Sequence, residues 1–403
     1  MSQSQPTGGA MANATSHFDL SDDQREVLDT ADRYARNELY PLAPRMDNEE
    51  WWPDHIFPKL GKDGYFGITV PPEYGGVGGD LFTSALVLQA FSRWNHALGL
   101  SWVAHENLCL NNIYRNANES LKRKYLPGLC SGDLIGGLGL TEPGAGSDAL
   151  GSMRTTARKD GDHYVLNGSK IFITNSPVAD VLLVYAKTAP EKGPHGISAF
   201  IIEKDYPGFR VAQKLEKMGF RGSQTGELVF DDCRVPAENL VGEENRGVSI
   251  VMSGLDLERA MITPILLGIS ERAFELALDY AKTREQFGKP ISEFQMIQSK
   301  LADMYVWVET MRTFNYRVLA AANQMEIGSG GRGEIHALTA AGIMYAANTT
   351  NKVLDEAVQI FGGYGYIWES EINRLFRATK LLEIGAGTTE VRKMIISSEI
   401  LKK

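Results

Sequence analysis

The spacing of apolar residues changes period twice along this chain, and that constrains its fold more than any other feature. From residue 20 to about residue 129, apolar side chains recur at three- and four-residue intervals, the pattern of helices with one buried face. Ser21-Asp22-Asp23-Gln24 opens this region as a helix cap, ahead of Val27, Leu28, Ala31 and Tyr34 on roughly one face. After Gly132 the period shortens. Residues 163–174 read as two strands around an Asn167-Gly168 turn, and 181–185, 197–203 and 227–230 as further short strands of a small sheet or barrel. From Val248 helical spacing returns and persists to Lys403, and long helices joined by short turns imply an antiparallel bundle. The organisation is therefore α, then β, then α.

Bulk properties exclude several classes. At 403 residues with 43% hydrophobic content the chain can bury a large core in two or three domains. The net charge of -9 is interleaved and leaves no basic patch, which argues against nucleic acid as a partner. Cys109, Cys130 and Cys233 form no CxxC pair and no disulfide framework, which favours a reducing compartment. No apolar run approaches the ~18 residues of a membrane span. Residues 1–17 lack Arg and an apolar segment, so they read as a flexible tail rather than a secretory or mitochondrial leader. That favours a bacterial cytoplasmic location, with the mitochondrial matrix the place for a processed eukaryotic protein. The glycine clusters at 75–79, 136–139 and 362–365 lack GxGxxG spacing, and neither a Walker A sequence nor a G-x-S-x-G elbow is present. His105 and Cys109 share a helical face without a second ligand pair, so no metal site is expected.

Two distant segments carry the chemistry. Glu258 is a carboxylate in the apolar helical run Leu255-Asp256-Leu257-Glu258-Arg259, and Gly385-Ala386-Gly387-Thr388-Thr389-Glu390 is an open turn ahead of the last helix. A base and an oxyanion cradle are what proton abstraction beside a carbonyl requires. Thr141-Glu142-Pro143-Gly144-Ala145-Gly146-Ser147-Asp148 suits an anion through its small residues and hydroxyls, although its composition equally fits an ordinary surface loop. Residues 284–291 and 359–366 read as helix ends followed by glycine-containing turns. Pro264, six residues beyond Glu258, predicts a kink that helps aim the carboxylate inward.

Taken in order, these segments resemble the flavin-dependent acyl-CoA dehydrogenase family over nearly the whole chain, through residues 138–148, 167–175, 284–298, 359–366 and 385–392. Residues 104–109 and 253–259 are most similar to the isovaleryl-type members. The resemblance implies an α+β multidomain fold: an N-terminal α domain (18–137), a middle β-barrel-like domain (138–250) and a C-terminal four-helix bundle (251–403). It further implies FAD, a homotetramer, and an electron-transferring flavoprotein as electron acceptor. Straight-chain members carry their base in a Tyr-Glu-Gly-Thr turn. Here that turn reads Gly385-Ala386-Gly387-Thr388, and Glu258 matches the alternative position of isovaleryl-type members. The implied reaction is removal of the thioester α-proton by Glu258 and of the β-hydride to flavin N5, giving a trans-2-enoyl thioester. A flavin ribityl hydroxyl and the Ala386 N–H would be the oxyanion donors.

Carried over by position, Leu138, Leu140, Thr141 and Ser147 fit the flavin and pyrophosphate loop, and Phe172 and Thr174 flank the isoalloxazine. Phe172 stands where relatives commonly have Trp. Arg284, Gln295, Gln359 and Gly363 match residues that reach FAD across a subunit interface, and Thr388 and Glu390 lie at the final helix start. Ser147, Asp256 and Arg259 match acyl-CoA contacts, and Gly385 leaves room for a branched acyl chain beside the base. Gly99 aligns with the carboxylate-binding Arg of glutaryl-type relatives, which argues against a dicarboxylic substrate, and Ser249 replaces an aromatic and implies a wider pocket. A short branched-chain acyl-CoA is the expected substrate. The alternatives are a longer 3-methyl or terpenoid acyl-CoA such as citronellyl-CoA, a carrier-bound acyl group, or a non-catalytic paralogue.

Overall fold

Ser21 caps helix α1 (Asp22–Tyr34) reciprocally: its hydroxyl accepts the Gln24 N–H at 3.2 Å, and Gln24 Oε1 accepts the Ser21 N–H at 3.0 Å. This helix opens a computed structural model that describes residues 20–326 and 330–402; the tail expected at 1–17 lies outside the described residues. Helix α2 (Leu81–Val103), capped by Asp80, leaves helical geometry at Asn95. The Asn95 amide satisfies the groups exposed there, donating to Leu39 O at 2.9 Å and accepting the Leu98 N–H at 3.1 Å. A wider π-helical stretch, Ala104–Asn111, and helix α3 (Glu119–Cys130) complete the N-terminal helical unit.

The middle unit is an eight-stranded sheet: β1 (Gly136–Gly139), β2 (Thr156–Asp160), β3 (His163–Thr174), β4 (Val181–Lys187), β5 (Ile197–Glu203), β6 (Phe209–Lys214), β7 (Thr225–Pro236) and β8 (Leu240–Val241). Its order is β6-β7-β3-β2-β4-β5-β8, with β1 parallel to β4, and among the described residues the end strands β6 and β8 do not pair. Alternation on β4 sorts side chains between two cores. Val181, Leu183 and Tyr185 pack toward the N-terminal helices, and Leu182, Val184 and Ala186 join the opposite face. Both faces are covered, which is why the run reads as continuously apolar.

One sequence expectation is corrected here. Asn167-Gly168 does not turn a hairpin; β3 runs through it as one strand, with a register shift against β7 between Leu166 and Gly168. The Asn167 amide is engaged with Asp232, giving one hydrogen bond to its carboxylate and taking one from its N–H. A Cβ at Gly168 would stand 2.6 Å from Thr155 Oγ1, so glycine serves a close approach of chains. The hairpin turn lies earlier, where β2 joins β3 through Gly161 at φ 63°.

The C-terminal unit comprises α4 (Gly247–Thr283), α5 (Gln295–Ala322), α6 (Gly333–Phe361), α7 (Glu371–Thr379) and α8 (Thr389–Ile400). Helix α4 packs on α2, α5 and α6, so the two helical units share one apolar core. It continues through Pro264 to Thr283. Pro264 cannot donate to the Ala260 carbonyl, and the Thr263 hydroxyl does so instead at 2.8 Å. Among the described residues no helix is long and apolar enough to cross a membrane.

Candidate active site

Helix α4 delivers Glu258 to a half-buried position, where its carboxylate has no hydrogen-bond or ion-pair partner among the described residues. Burial raises its pKa to about 7, against the opposing pull of Arg259 and Arg392. The turn before α8 comes to the same place. Arg259 Nε donates to Ala386 O at 3.4 Å, and Arg392 Nη2 donates to Gly385 O at 2.6 Å. Ala386 has the left-handed φ of 56°, uncommon for a residue with a side chain. Among the described residues its N–H meets no acceptor. A Cβ on Gly385 would meet only Leu381 O, at 3.5 Å, so there is open space beside this turn. The two arginines that act on the charge of this unpaired carboxylate are thus the ones that bond a turn with a free amide donor.

The second half of the site is built by the sheet. The Thr141 carbonyl accepts the Ile171 N–H at 2.9 Å, which lays the 141–148 loop beside a bulge in β3. Phe172 occupies that bulge with φ 61° and 66% exposure, its ring without an aromatic partner among the described residues. Holding a large apolar side chain in strained geometry against solvent has a cost, and such strain clusters at ligand sites. Lys170, beneath the bulge, is fully buried and donates to Leu140 O at 3.1 Å and Glu142 Oε1 at 2.9 Å. Glu142 in turn accepts the N–H groups of Arg154 and Thr155 at 2.6 and 2.9 Å. Buried ion pairs add little net stability; this one fixes the loop. Leu138, Leu140, Thr141 and Thr174 are partly exposed and Ser147 fully so, an arrangement that suits a flat ring system with an anionic tail.

Comparison with known proteins decides the family. Acyl-CoA dehydrogenase N-terminal, middle and C-terminal domains match residues 21–133, 137–233 and 245–401. The chain belongs to the acyl-CoA dehydrogenase family. It is 44% identical over 382 residues to mitochondrial isovaleryl-CoA dehydrogenase of Pongo abelii, covering 94% of this chain and 88% of that protein. It is 42% identical over 386 residues to mitochondrial 2-methylacyl-CoA dehydrogenase of Solanum tuberosum, covering 95% and 92%. The structure of butyryl-CoA dehydrogenase from Megasphaera elsdenii superposes with a TM-score of 0.90 at 38% identity, over 96% of this chain and 100% of that one. The chain is therefore an oxidoreductase of the acyl-CoA dehydrogenase fold, and its cofactor is FAD. The exposed Phe172 face beside a loop of small residues fits that cofactor.

Other acyl-CoA dehydrogenase positions lie as follows. Asp256 and Arg259 are buried, and Asp256 is saturated: it accepts the Gly331 N–H at 2.6 Å, Arg259 Nη1 at 3.2 Å and Thr339 Oγ1 at 3.3 Å, and lies 2.6 Å from His336 Nδ1. These partners hold its carboxyl below the usual range, and its place is a brace between α4 and α6. Arg284, Gln295, Gln359 and Gly363 are exposed. Arg284 and Gly363 border a cavity of about 510 Å³ with Tyr280, Phe361 and Ile367. Thr388 caps α8, accepting the Val391 N–H at 3.3 Å, and Glu390 stands exposed in its first turn. Two pocket arguments fail. A Cβ at Gly99 would lie 2.2 Å from Ser92 Oγ on the same helix, so that position faces the irregularity at Asn95. Ser249 is exposed and bonds Arg246 O at 2.7 Å, so it gives no measure of pocket width.

Residues 104–107 and Cys109 are buried in the core, and Leu108 is partly exposed. His105 accepts the Gly136 N–H at 2.9 Å, and Glu106 takes the Gly67 and Ile68 N–H groups, each at 2.8 Å. Among the described residues no cluster of three or more ligating side chains is suited to a metal. Sequence reasoning missed Tyr185, buried with no hydrogen-bond partner for its hydroxyl among the described residues and sensing the Glu258 charge. It also gave Arg392 no role of its own. The available signal was an arginine between Val391 and Met394 on a helix that must bury one face.

Proposed function

We propose that the protein catalyses α,β-dehydrogenation of a short branched-chain acyl-CoA, isovaleryl-CoA in type, with Glu258 as the base. The observation that carries this is the unpaired Glu258, with its pKa near 7, within reach of the charges of Arg259 and Arg392, which hold a turn whose residue 386 is Ala. A thioester α-proton is weakly acidic, and a carboxylate lifted toward neutrality is a stronger base than one in water. Glu258 takes the α-proton onto its carboxylate while the Ala386 N–H donates to the thioester oxygen as charge builds there; a donor of this kind is worth ~3 kcal/mol. FAD, when bound, accepts the β-hydride. Leu138, Leu140, Thr141, Ser147, Phe172 and Thr174 hold it on one side, Thr388 and Glu390 lie near its anionic part, and Arg284, Gln295, Gln359 and Gly363 reach it from a neighbouring subunit. Asp256 holds Arg259, and Arg259 holds the turn. Ser147 touches the acyl-CoA. A homotetramer, electron-transferring flavoprotein as acceptor, and a bacterial cytoplasmic or mitochondrial matrix setting complete this reading.

The free space at Gly385 supports a branched chain and leaves a longer 3-methyl acyl-CoA as the second reading. A substrate series separates them. Isovaleryl-CoA should exceed butyryl-CoA and longer 3-methyl thioesters in kcat/KM, and Gly385→Tyr should reverse the isovaleryl-to-butyryl preference by about tenfold or more. Faster turnover of the longer branched thioesters would overturn the short-chain assignment.

A further inference from the structure

Arg392 is fully buried, the most enclosed arginine near this site. Its Nη2 donates to Leu382 O at 2.9 Å and to Gly385 O at 2.6 Å, and its Nε and Nη1 have no hydrogen-bond partner among the described residues. A buried cation without a bound carboxylate is costly, so a purely structural helix residue is a poor explanation for it. The position of the bonded carbonyl supplies a better one. Gly385 O and the Ala386 N–H belong to one peptide group, and no peptide in the described residues is cis. In a planar trans peptide the C=O and N–H point in opposite directions. Anchoring Gly385 O on the buried side therefore aims the Ala386 N–H away from it, toward the open side of the turn. Arg259 holds the next carbonyl, Ala386 O, so the strained residue is clamped at both of its peptides.

We infer that Arg392 is a positioning residue of the reaction: by fixing the Gly385–Ala386 peptide it orients the backbone donor that receives the thioester oxygen. This rests on the dehydrogenase reading above, but not on which carboxylate is the base. Its charge lies within electrostatic reach of Glu258 and favours the ionised form of that carboxylate. The residue thus joins the two halves of the proton-transfer site.

The test uses the FAD-loaded full-length protein and acetoacetyl-CoA, a 3-oxoacyl thioester whose enolate forms without hydride transfer. The apparent pKa of the bound ligand, read from the ultraviolet band of its enolate, reports stabilisation of the enolate with no hydride-transfer step in the signal. Arg392→Gln should raise that value by one unit or more, a tenfold or greater loss, and lower kcat for isovaleryl-CoA about 100-fold with KM changed less than threefold. Arg392→Lys keeps the buried charge, but its side chain is one bond shorter and stops short of the Nη2 position that serves both carbonyls, so it should lose about three- to tenfold in enolate stabilisation; it decides the matter if the Gln variant fails to fold. A folded, flavin-loaded variant with an unchanged enolate pKa overturns the inference. The same comparison in a Glu258→Gln background separates the two claims. An Arg392 effect that persists beside a fully active Glu258→Gln enzyme sustains this inference and removes the base assignment. A silent Arg392 variant beside an inactive Glu258→Gln enzyme does the reverse.

Discussion

At the scale of single residues, proton abstraction turns on the environment of Glu258. Its candidacy was legible as a carboxylate in an apolar helical run, given an alanine at position 386. Its proton affinity was not, because that depends on which distant groups share its pocket. Burial is the dominant cause of the raised pKa, and the two arginines only moderate it. The sign for catalysis follows directly. A base is active when ionised, so kcat/KM should climb with pH through about 7 and level above it. An ascending limb centred near the ordinary carboxylate value of about 4.3 would contradict this environment. Asp256 shows the limit of reading by position. Nothing in its sequence neighbourhood indicates that four partners saturate it, two of them from residues 331–336 and one from Thr339.

At the scale of elements, the α, β, α order was legible because each period reflects one geometry of burial, and the Ser21 cap was placed to the residue. The Asn167-Gly168 reading failed for a physical reason. The same dipeptide serves a tight turn or a bulge, and only the approach of Thr155 and Asp232 selects the second. Pro264 raises a similar point. The local sequence shows a missing donor; the structure adds the Thr263 hydroxyl that replaces it and the Asn315 amide that donates to Thr263 O at 2.9 Å. Thr263→Val removes that hydroxyl at nearly constant volume and leaves a buried carbonyl unmet. It should destabilise the protein by about 1–3 kcal/mol, read as a lower urea midpoint with unchanged slope. An unchanged midpoint would show that the Ala260 carbonyl finds another partner.

At the scale of the whole molecule, the three units are tied together rather than strung in series. Arg377 pairs with Asp47 of the N-terminal unit and donates to Met218 O at 2.8 Å, and the Tyr40 hydroxyl of the N-terminal unit donates to Glu371 at 2.7 Å. Several exposed apolar side chains lie close in sequence to the expected cross-subunit cofactor residues: Phe287 is 93% exposed, with Met296, Tyr364, Tyr366 and Ile367 also exposed. Patches of this kind mark interfaces, which fits the proposed tetramer and could not be located from apolar spacing alone. Sedimentation should give the mass of four chains for the wild type. Phe287→Glu should give a smaller species that also loses FAD. A wild-type monomer that retains FAD would contradict a shared cofactor site.

The central claim is that Glu258 takes the α-proton of a branched acyl-CoA beside a reducible flavin. Anaerobic titration of the FAD-loaded protein with isovaleryl-CoA, followed by flavin absorbance, tests it most directly when wild type and Glu258→Gln are compared. Rapid bleaching at stoichiometric substrate is expected in the wild type, and an oxidised flavin that persists at least ~10³-fold longer in the variant. Bleaching at the wild-type rate in Glu258→Gln would contradict it.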